Sequence, residues 1–284
     1  MRETIQHYWR DSTLPFVELR STYRSVQGYK PHFHPQVSLG AVIAGDSHAK
    51  CNGREHLLQQ GDLVLIAPYA VHSCNPVARQ PRSYHMLFID EAWCLENVPQ
   101  LQRRSLSVIC DSGSPIRDST LFAEYLELIA HLGDIPAIEA AARLRALLTA
   151  VIDTQRGPAT PRPPQQKLAE QIKHALLARI DSPPTLDELA RAFACRKETL
   201  IRAFRRAFHT TPRAFVNNAR IEQAKQRLKL GSHIADVAAD LGFSDQAQLH
   251  RTFVSFTAST PGQYRRAKPA ANINFRQESP PASR

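Results

Sequence analysis

The sequence predicts an α+β chain of two units: a β-rich N-terminal half with two following helices, and an all-α C-terminal domain holding two helix-turn-helix motifs. Three observations predict it. Short runs rich in β-branched and aromatic residues, broken by Gly, Pro and Asn, fill residues 16–90. The apolar period becomes helical from about residue 115. A Pro-rich stretch at 154–166 then separates this half (1–153) from a second helical segment (167–268).

The strand runs are Phe16-Val-Glu-Leu19, Val37 to Ile43, Asp62 to Ile66 and Tyr84 to Ile89. Several short strands at this spacing suggest a small barrel or sandwich. Leu121, Tyr125, Leu128 and Leu132 make one helical stripe, and Leu144, Leu147, Leu148 and Val151 another. Together the stripes offer more apolar face than one end of a small barrel needs, so one of these helices, the second in preference to the first, is expected to mediate a homodimer. Residues 269–284 are polar and Pro/Ser-rich, the composition of a disordered tail.

Past the Pro-rich stretch, Leu168, Ile172, Leu176 and Ile180 step by four. Thr185-x-x-Glu188 has the form of a capping box, Pro212 suits a first helical turn, and Gly231 suits a left-handed helix end. The segment repeats itself weakly: Leu200-Ile-Arg202-Ala-Phe204 matches Leu249-His-Arg251-Thr-Phe253. In each copy Leu and Phe, four apart, face a core, and the arginine between them turns outward. Two short helices across a tight turn, the second with a basic outer face, are the helix-turn-helix design. Such a helix fits the major groove, where arginine can grip guanine O6 and N7.

Charge agrees with that placement. The net charge of +10 is uneven: residues 1–153 hold 14 Lys/Arg against 16 Asp/Glu, whereas 165–268 hold 18 against 9. A basic excess confined to the motif-bearing segment is the footprint of phosphate neutralisation. Apolar content of 43% and charged content of 22% are those of a globular chain. No window approaches the ~18 consecutive apolar residues of a membrane span. The N-terminus lacks the apolar core of a signal peptide, and five scattered cysteines without CxxC spacing read as reduced thiols, so a cytoplasmic location is expected.

From about Lys167 to Lys268 the chain resembles the AraC/XylS family of transcription activators. The resemblance is carried most specifically by Ile234-Ala-Asp-Val-Ala-Ala-Asp-Leu-Gly-Phe-Ser-Asp-Gln-Ala-Gln-Leu-His-Arg-Thr-Phe253 and by Thr260-Pro-Gly-Gln-Tyr-Arg265. It implies base-reading or DNA-contacting positions at Glu198, Ile201, Arg202 and Arg205 in the first motif. In the second it implies Gln246, Ala247, Gln248, His250 and Arg251. It also implies double-stranded DNA and RNA polymerase as partners, activation as the output, and no enzymatic activity. Two departures stand out: Arg196 replaces the usual capping serine of the first recognition helix, and His209 replaces the glycine after it.

In the N-terminal half, His32-Phe-His34 and the run Gly61 to Asn75, which contains His72, resemble the two halves of a cupin barrel. This implies a cupin-like effector-binding domain whose interior His32, His34 and His72 line. Cupin enzymes add a glutamate ligand, but Ser38 and Leu39 occupy that slot here. The three histidines are therefore read as bonding to a small polar effector or to one another, with no cofactor. A divalent metal with water as fourth ligand is the alternative, which Cys51, Cys74 and His85 could extend.

Overall fold

The computed structural model describes residues 5–103, 113–155 and 165–266. Most of the Pro-rich stretch, Cys110 and the expected tail at 269–284 lie outside the described residues.

The N-terminal strands are β1 (Ile5–Trp9), β2 (Val17–Ser25), β3 (Val37–Ala44), β4 (Ser47–Cys51), β5 (Arg54–Leu58), β6 (Leu63–Ile66), β7 (His72–Pro76), β8 (Arg82–Ile89) and β9 (Pro115–Ile116). They form a six-stranded sheet ordered β1-β2-β8-β3-β6-β9 and a three-stranded sheet ordered β5-β4-β7. Strand β8 lies between β2 and β3, pairing His85 with Ser21 and Leu87 with Leu39, and is buried along its whole length. That is why its apolar run does not alternate cleanly.

The expected cupin-like barrel is not present, because the sheets do not close on each other. The large sheet ends at β1 and β9, and neither pairs with β5 or β7. Among the described residues, an isolated bridge between His32 and His72 is the link recorded outside the named strands. Inward-facing residues are demanded equally by a barrel and by two open sheets sharing a core. The strand pattern therefore could not tell the two apart.

That shared core joins Leu39, Leu63 and Leu87 of the large sheet to Ala49 and Leu58 of the small one. Helices α1 (Glu91–Asn97), α2 (Pro99–Arg103), α3 (Ser119–His131) and α4 (Ala137–Thr154) cover it. Asp90 caps α1 through the Trp93 N–H, and Asp118 caps α3 through the Thr120 and Leu121 N–H groups. Both expected stripes are buried here, and the Tyr125 hydroxyl donates to the Leu39 carbonyl at 3.2 Å. The stripes that suggested a pairing face are thus consumed by the core. Ile138, at 83% exposure, is the large apolar residue that α4 leaves to solvent.

The C-terminal helices are α5 (Gln165–Ala178), α6 (Leu186–Ala192), α7 (Lys197–Phe208), α8 (Pro212–Lys229), α9 (Ile234–Asp240), α10 (Gln246–Thr257) and α11 (Pro261–Arg265). The Thr185–Glu188 capping box forms at α6, Thr211 caps α8 with Pro212 in its first turn, and Gly231 ends α8 at φ +86°. Leu200, Phe204 and Phe215 form the core of the first motif. Leu249, Phe253 and Tyr264 form that of the second. Helix α8 passes between them and contributes Phe215 to one core and Ile221 and Leu228 to the other.

Both tight turns need a left-handed residue, and the two motifs supply it differently. The first uses Ala194 at φ +48°, the second Gly242 at φ +70°. At Gly242 an added Cβ would sit 2.1 Å from the Asp181 carbonyl oxygen, so only glycine fits.

Candidate DNA-binding face and effector cavity

Helices α7 and α10 are the second helices of the two motifs. Their N-termini differ in the way the departure at Arg196 foreshadows. Arg196 makes no side-chain cap, whereas Asp245 accepts from the Gln248 N–H at 2.6 Å. His209 ends α7 in the left-handed region at φ +52°, the strained backbone that replacing glycine requires. Ala258 does the same after α10 at φ +55°.

The sequence-derived contact residues occupy exposed positions on these helices: Glu198, Arg202, Arg205, Gln246, Ala247, His250 and Arg251 are exposed, and Ile201 and Gln248 are half-buried. The arginines separate into two groups. Arg220 donates to the carbonyls of Ile180, Gly242 and Asp181, and Arg227 pairs with Asp240. Arg202, Arg205 and Arg251 have no hydrogen bond or ion pair from their side chains among the described residues. A guanidinium with all five donors open to solvent is available to a base edge or a phosphate. Gln248 is different. Its carbonyl oxygen accepts from the Ser244 N–H at 2.8 Å, so half of its amide is already committed to the helix start. Between the motifs an open groove is lined by Ile201, Arg205, Arg213, Arg220 and Gln248.

The three N-terminal histidines also come together. His32 and His34 flank Phe33 in the extended segment before β3, and His72 opens β7. Their ring centroids lie 4.9, 4.5 and 5.3 Å apart, and all three are buried. Each Nδ1 meets an oxygen: the Lys30 carbonyl for His32 (2.8 Å), the Ala70 carbonyl for His72 (2.9 Å) and the Glu222 carboxylate for His34 (3.0 Å). Carbonyls and carboxylates only accept, so every Nδ1 carries its proton and every Nε2 presents a lone pair. Burial lowers the histidine pKa values, to about 4 for His72 and well below the usual range for His32 and His34. The Lys225 and Arg20 charges deepen the shift at His34.

This cluster lines a small cavity that also receives Arg20, Tyr29, Arg82, Tyr84 and His85. Cys74 lines it, while Cys51 sits buried beside it in β4. One ring nitrogen from each of the three histidines lies within 4.8 Å of the others, close enough for them to share a divalent ion.

Sequence reasoning missed what lies on the other side of the His32–His34 segment. Alternate side chains of an extended chain point opposite ways. Phe33 therefore leaves the cavity and enters the first motif's core, 4.6 Å from Phe215 centroid to centroid. Asn218 of α8 clamps the Phe33 backbone from both sides, accepting from its N–H at 2.7 Å and donating to its carbonyl at 3.1 Å. One turn on, Glu222 takes His34 and is itself held by Lys225 at 2.9 Å. Glu18 of β2 makes a second junction, bonded to Arg10, Lys229 and the Tyr264 hydroxyl. Burial alone would raise its pKa, but Lys229, Arg10 and Lys225 outweigh burial and hold it at about 2.

A doubled helix-turn-helix with free arginines, joined to a sheet domain with a polar cavity, defines a ligand-responsive class of DNA-binding regulator. A helix-turn-helix domain model matches residues 189–267, and an AraC-like ligand binding domain model matches residues 15–152. The chain belongs to the AraC/XylS family, whose members are transcription regulators rather than enzymes. It is 24% identical over 236 residues to the uncharacterized HTH-type transcriptional regulator YbfI of Bacillus subtilis, covering 79% of this chain and 82% of that one. It is 27% identical over 243 residues to the transcriptional activator NphR of a Rhodococcus species, covering 79% and 68%. Its fold is similar to that of unsaturated fatty acid bound ToxT from Vibrio cholerae, with a TM-score of 0.58, 13% identity, and 93% and 97% of the two chains covered. No helix among the described residues is long and apolar enough to cross a membrane.

Proposed function

We propose that the chain activates transcription when a small molecule enters the histidine cavity, and that the signal reaches the DNA-binding helices through the His32–His34 segment. The observation that carries this reading is the division of that segment. His32 and His34 face the cavity, while Phe33 and the Nδ1 of His34 are held by α8. A ligand that shifts either histidine must shift a contact with the helix that spaces the two motifs. Such differential contact is what a ligand needs to change an equilibrium.

On the DNA side, Arg202 and Arg251 read bases in successive major grooves on one face, about 34 Å apart. Arg205, Glu198, Ile201, Gln246, Ala247 and His250 complete the contact surface, with Gln248 contributing its free amide N–H. Activation is the output suggested by the similarity to the transcriptional activator NphR, and RNA polymerase is then the partner. Residues 1–153 and 167–268 act as effector and DNA-binding units. Self-association through α4 also belongs to this reading and rests on its outer face around Ile138.

The test is a reporter driven by the chain's own target promoter, scored for wild type and His72→Ala. We expect His72→Ala to lose the effector-dependent change and to keep its basal DNA affinity. A full effector response in that variant would place the sensing site elsewhere. A second reading, a divalent ion on the same three histidines, is favoured by their convergence. Stoichiometric metal in purified wild type, absent from His72→Ala, would establish it.

A further inference from the structure

The cavity holds a buried charge that the histidine reading leaves unexplained. Arg20, on β2, is buried and lines the cavity, yet its Nε has no hydrogen-bond partner. One Nη reaches the Tyr84 hydroxyl at 3.3 Å, and Tyr29, Tyr84 and Phe88 surround the guanidinium at 5.5, 5.5 and 5.6 Å. Aromatic faces stabilise its charge, but they do not satisfy its in-plane N–H groups as an oxygen would.

Among the described residues, no buried carboxylate is left to serve it. The two acids buried nearby are committed, Glu18 to Arg10 and Lys229, Glu222 to His34 and Lys225. Arg82, the other cavity arginine, spends its Nη groups on neutral acceptors, Ser47 Oγ and the carbonyls of Cys74 and Gln27. The cavity is therefore lined by two cations with no counter-charge against them. A cationic ligand is disfavoured there, and so is a metal ion seated beside Arg20. A carboxylate offers the planar pair of oxygens that a guanidinium fork matches.

The remaining walls define the rest of the ligand. The histidine cluster offers lone-pair nitrogens, which call for a donor. Val42, Leu58 and Val64 close the far side with apolar surface. We propose that the cavity binds a small carboxylic acid bearing a hydroxyl group, with its carboxylate on Arg20 and its hydroxyl donated to the histidine cluster. This rests on the effector reading above and names the chemistry of its ligand.

The experiment is a thermal-shift and calorimetric titration of the full chain with lactate, glycolate, propionate (acid without hydroxyl), lactamide (hydroxyl without charge) and zinc chloride. Lactate or glycolate should raise Tm with the logarithm of concentration, propionate should act more weakly, and lactamide should have no effect. Arg20→Met should weaken binding of the hydroxy acid about 10- to 100-fold, the cost of losing a charge-assisted hydrogen bond. Its ligand-free Tm should not fall, because the variant removes a buried cation that has no charged partner. Should Arg20→Met not fold, the comparison of acid with amide in the wild type still decides. The inference is overturned if lactamide binds as well as lactate, if zinc alone shifts Tm, or if neither hydroxy acid does. Hydroxy-acid binding with no accompanying change in promoter affinity would uphold the acid site and overturn the effector reading instead.

Discussion

His34 and Glu222 are 188 residues apart in sequence and 3.0 Å apart in space, and their bond joins the histidine cavity to the helix between the two helix-turn-helix motifs. Glu222 is buried and also holds Lys225, so the contact is a buried charge-assisted hydrogen bond and not a solvent-exposed pair of little worth. Replacing Glu222 with Gln keeps the shape and removes the charge. We expect Glu222→Gln to bind promoter DNA with basal affinity and to lose effector dependence, measured by fluorescence anisotropy with and without ligand. A retained response would remove His34–Glu222 from the path.

Phe33 is the apolar counterpart of that contact. It is buried against Phe215, with its backbone clamped by Asn218. Phe33→Ala should cost about 3–5 kcal/mol of cohesion between the halves, the usual loss for a buried phenylalanine. Limited proteolysis should then cut between residues 155 and 165 faster than in the wild type. Equal cleavage rates would show that Phe33 does not hold the halves together.

Arg251 projects from α10 with its guanidinium free. Arg251→Ala should lose ~1–3 kcal/mol on the selected operator and little on random DNA, as removal of a base contact requires. Equal losses on both sequences would assign Arg251 to phosphate. Arg202→Ala should behave alike but lose less, because α7 starts on Arg196 without a side-chain cap.

The histidines set a pH dependence. Burial holds His72 and His85 at about 4 in the fold, and His32 and His34 lie well below the ordinary value. In the unfolded chain each titrates near the ordinary value of about 6.5. Between those limits the unfolded state binds more protons, so stability rises with pH. It is complete above about pH 6.5 and is lost toward pH 4, at ~1.4 kcal/mol per pH unit for each histidine. Urea denaturation at stepped pH checks this, and a flat profile across that window would contradict buried neutral histidines.

The apolar stripes of α3 and α4 are buried, so the proposed self-association through α4 would use its outer face around Ile138. Sedimentation of the full chain should show a dimer at micromolar concentration that Ile138→Glu converts to monomer. A wild-type monomer would exclude this face.

What was legible in the sequence was local. Thr185 with Glu188, Pro212 and Gly231 each report a neighbour within a few residues, and all three fall where expected. The strained position of His209 was legible because only a missing glycine had to be noticed. The small sheet was not read, although Asn52-Gly53, both at positive φ between β4 and β5, is a strong hairpin signal. Barrel closure was misjudged because inward alternation says nothing about which edges pair. Asn218, Glu222 and Arg20 were invisible as site residues for a related reason. Each owes its role to partners far away in the chain, and no local pattern marks a residue for a distant contact.

In the proposed function, cavity and DNA face are coupled through residues 32–34 and α8. Coupling is reciprocal, so DNA binding must alter the cavity as surely as a ligand alters DNA binding. Hydrogen exchange of the full chain, with and without an operator selected from random DNA, measures this directly. Protection at residues 29–34 and 69–72 should change on binding DNA, and that change should be lost in Glu222→Gln. Protection that changes in α7 and α10 alone, with the histidine segments untouched, would contradict the coupling.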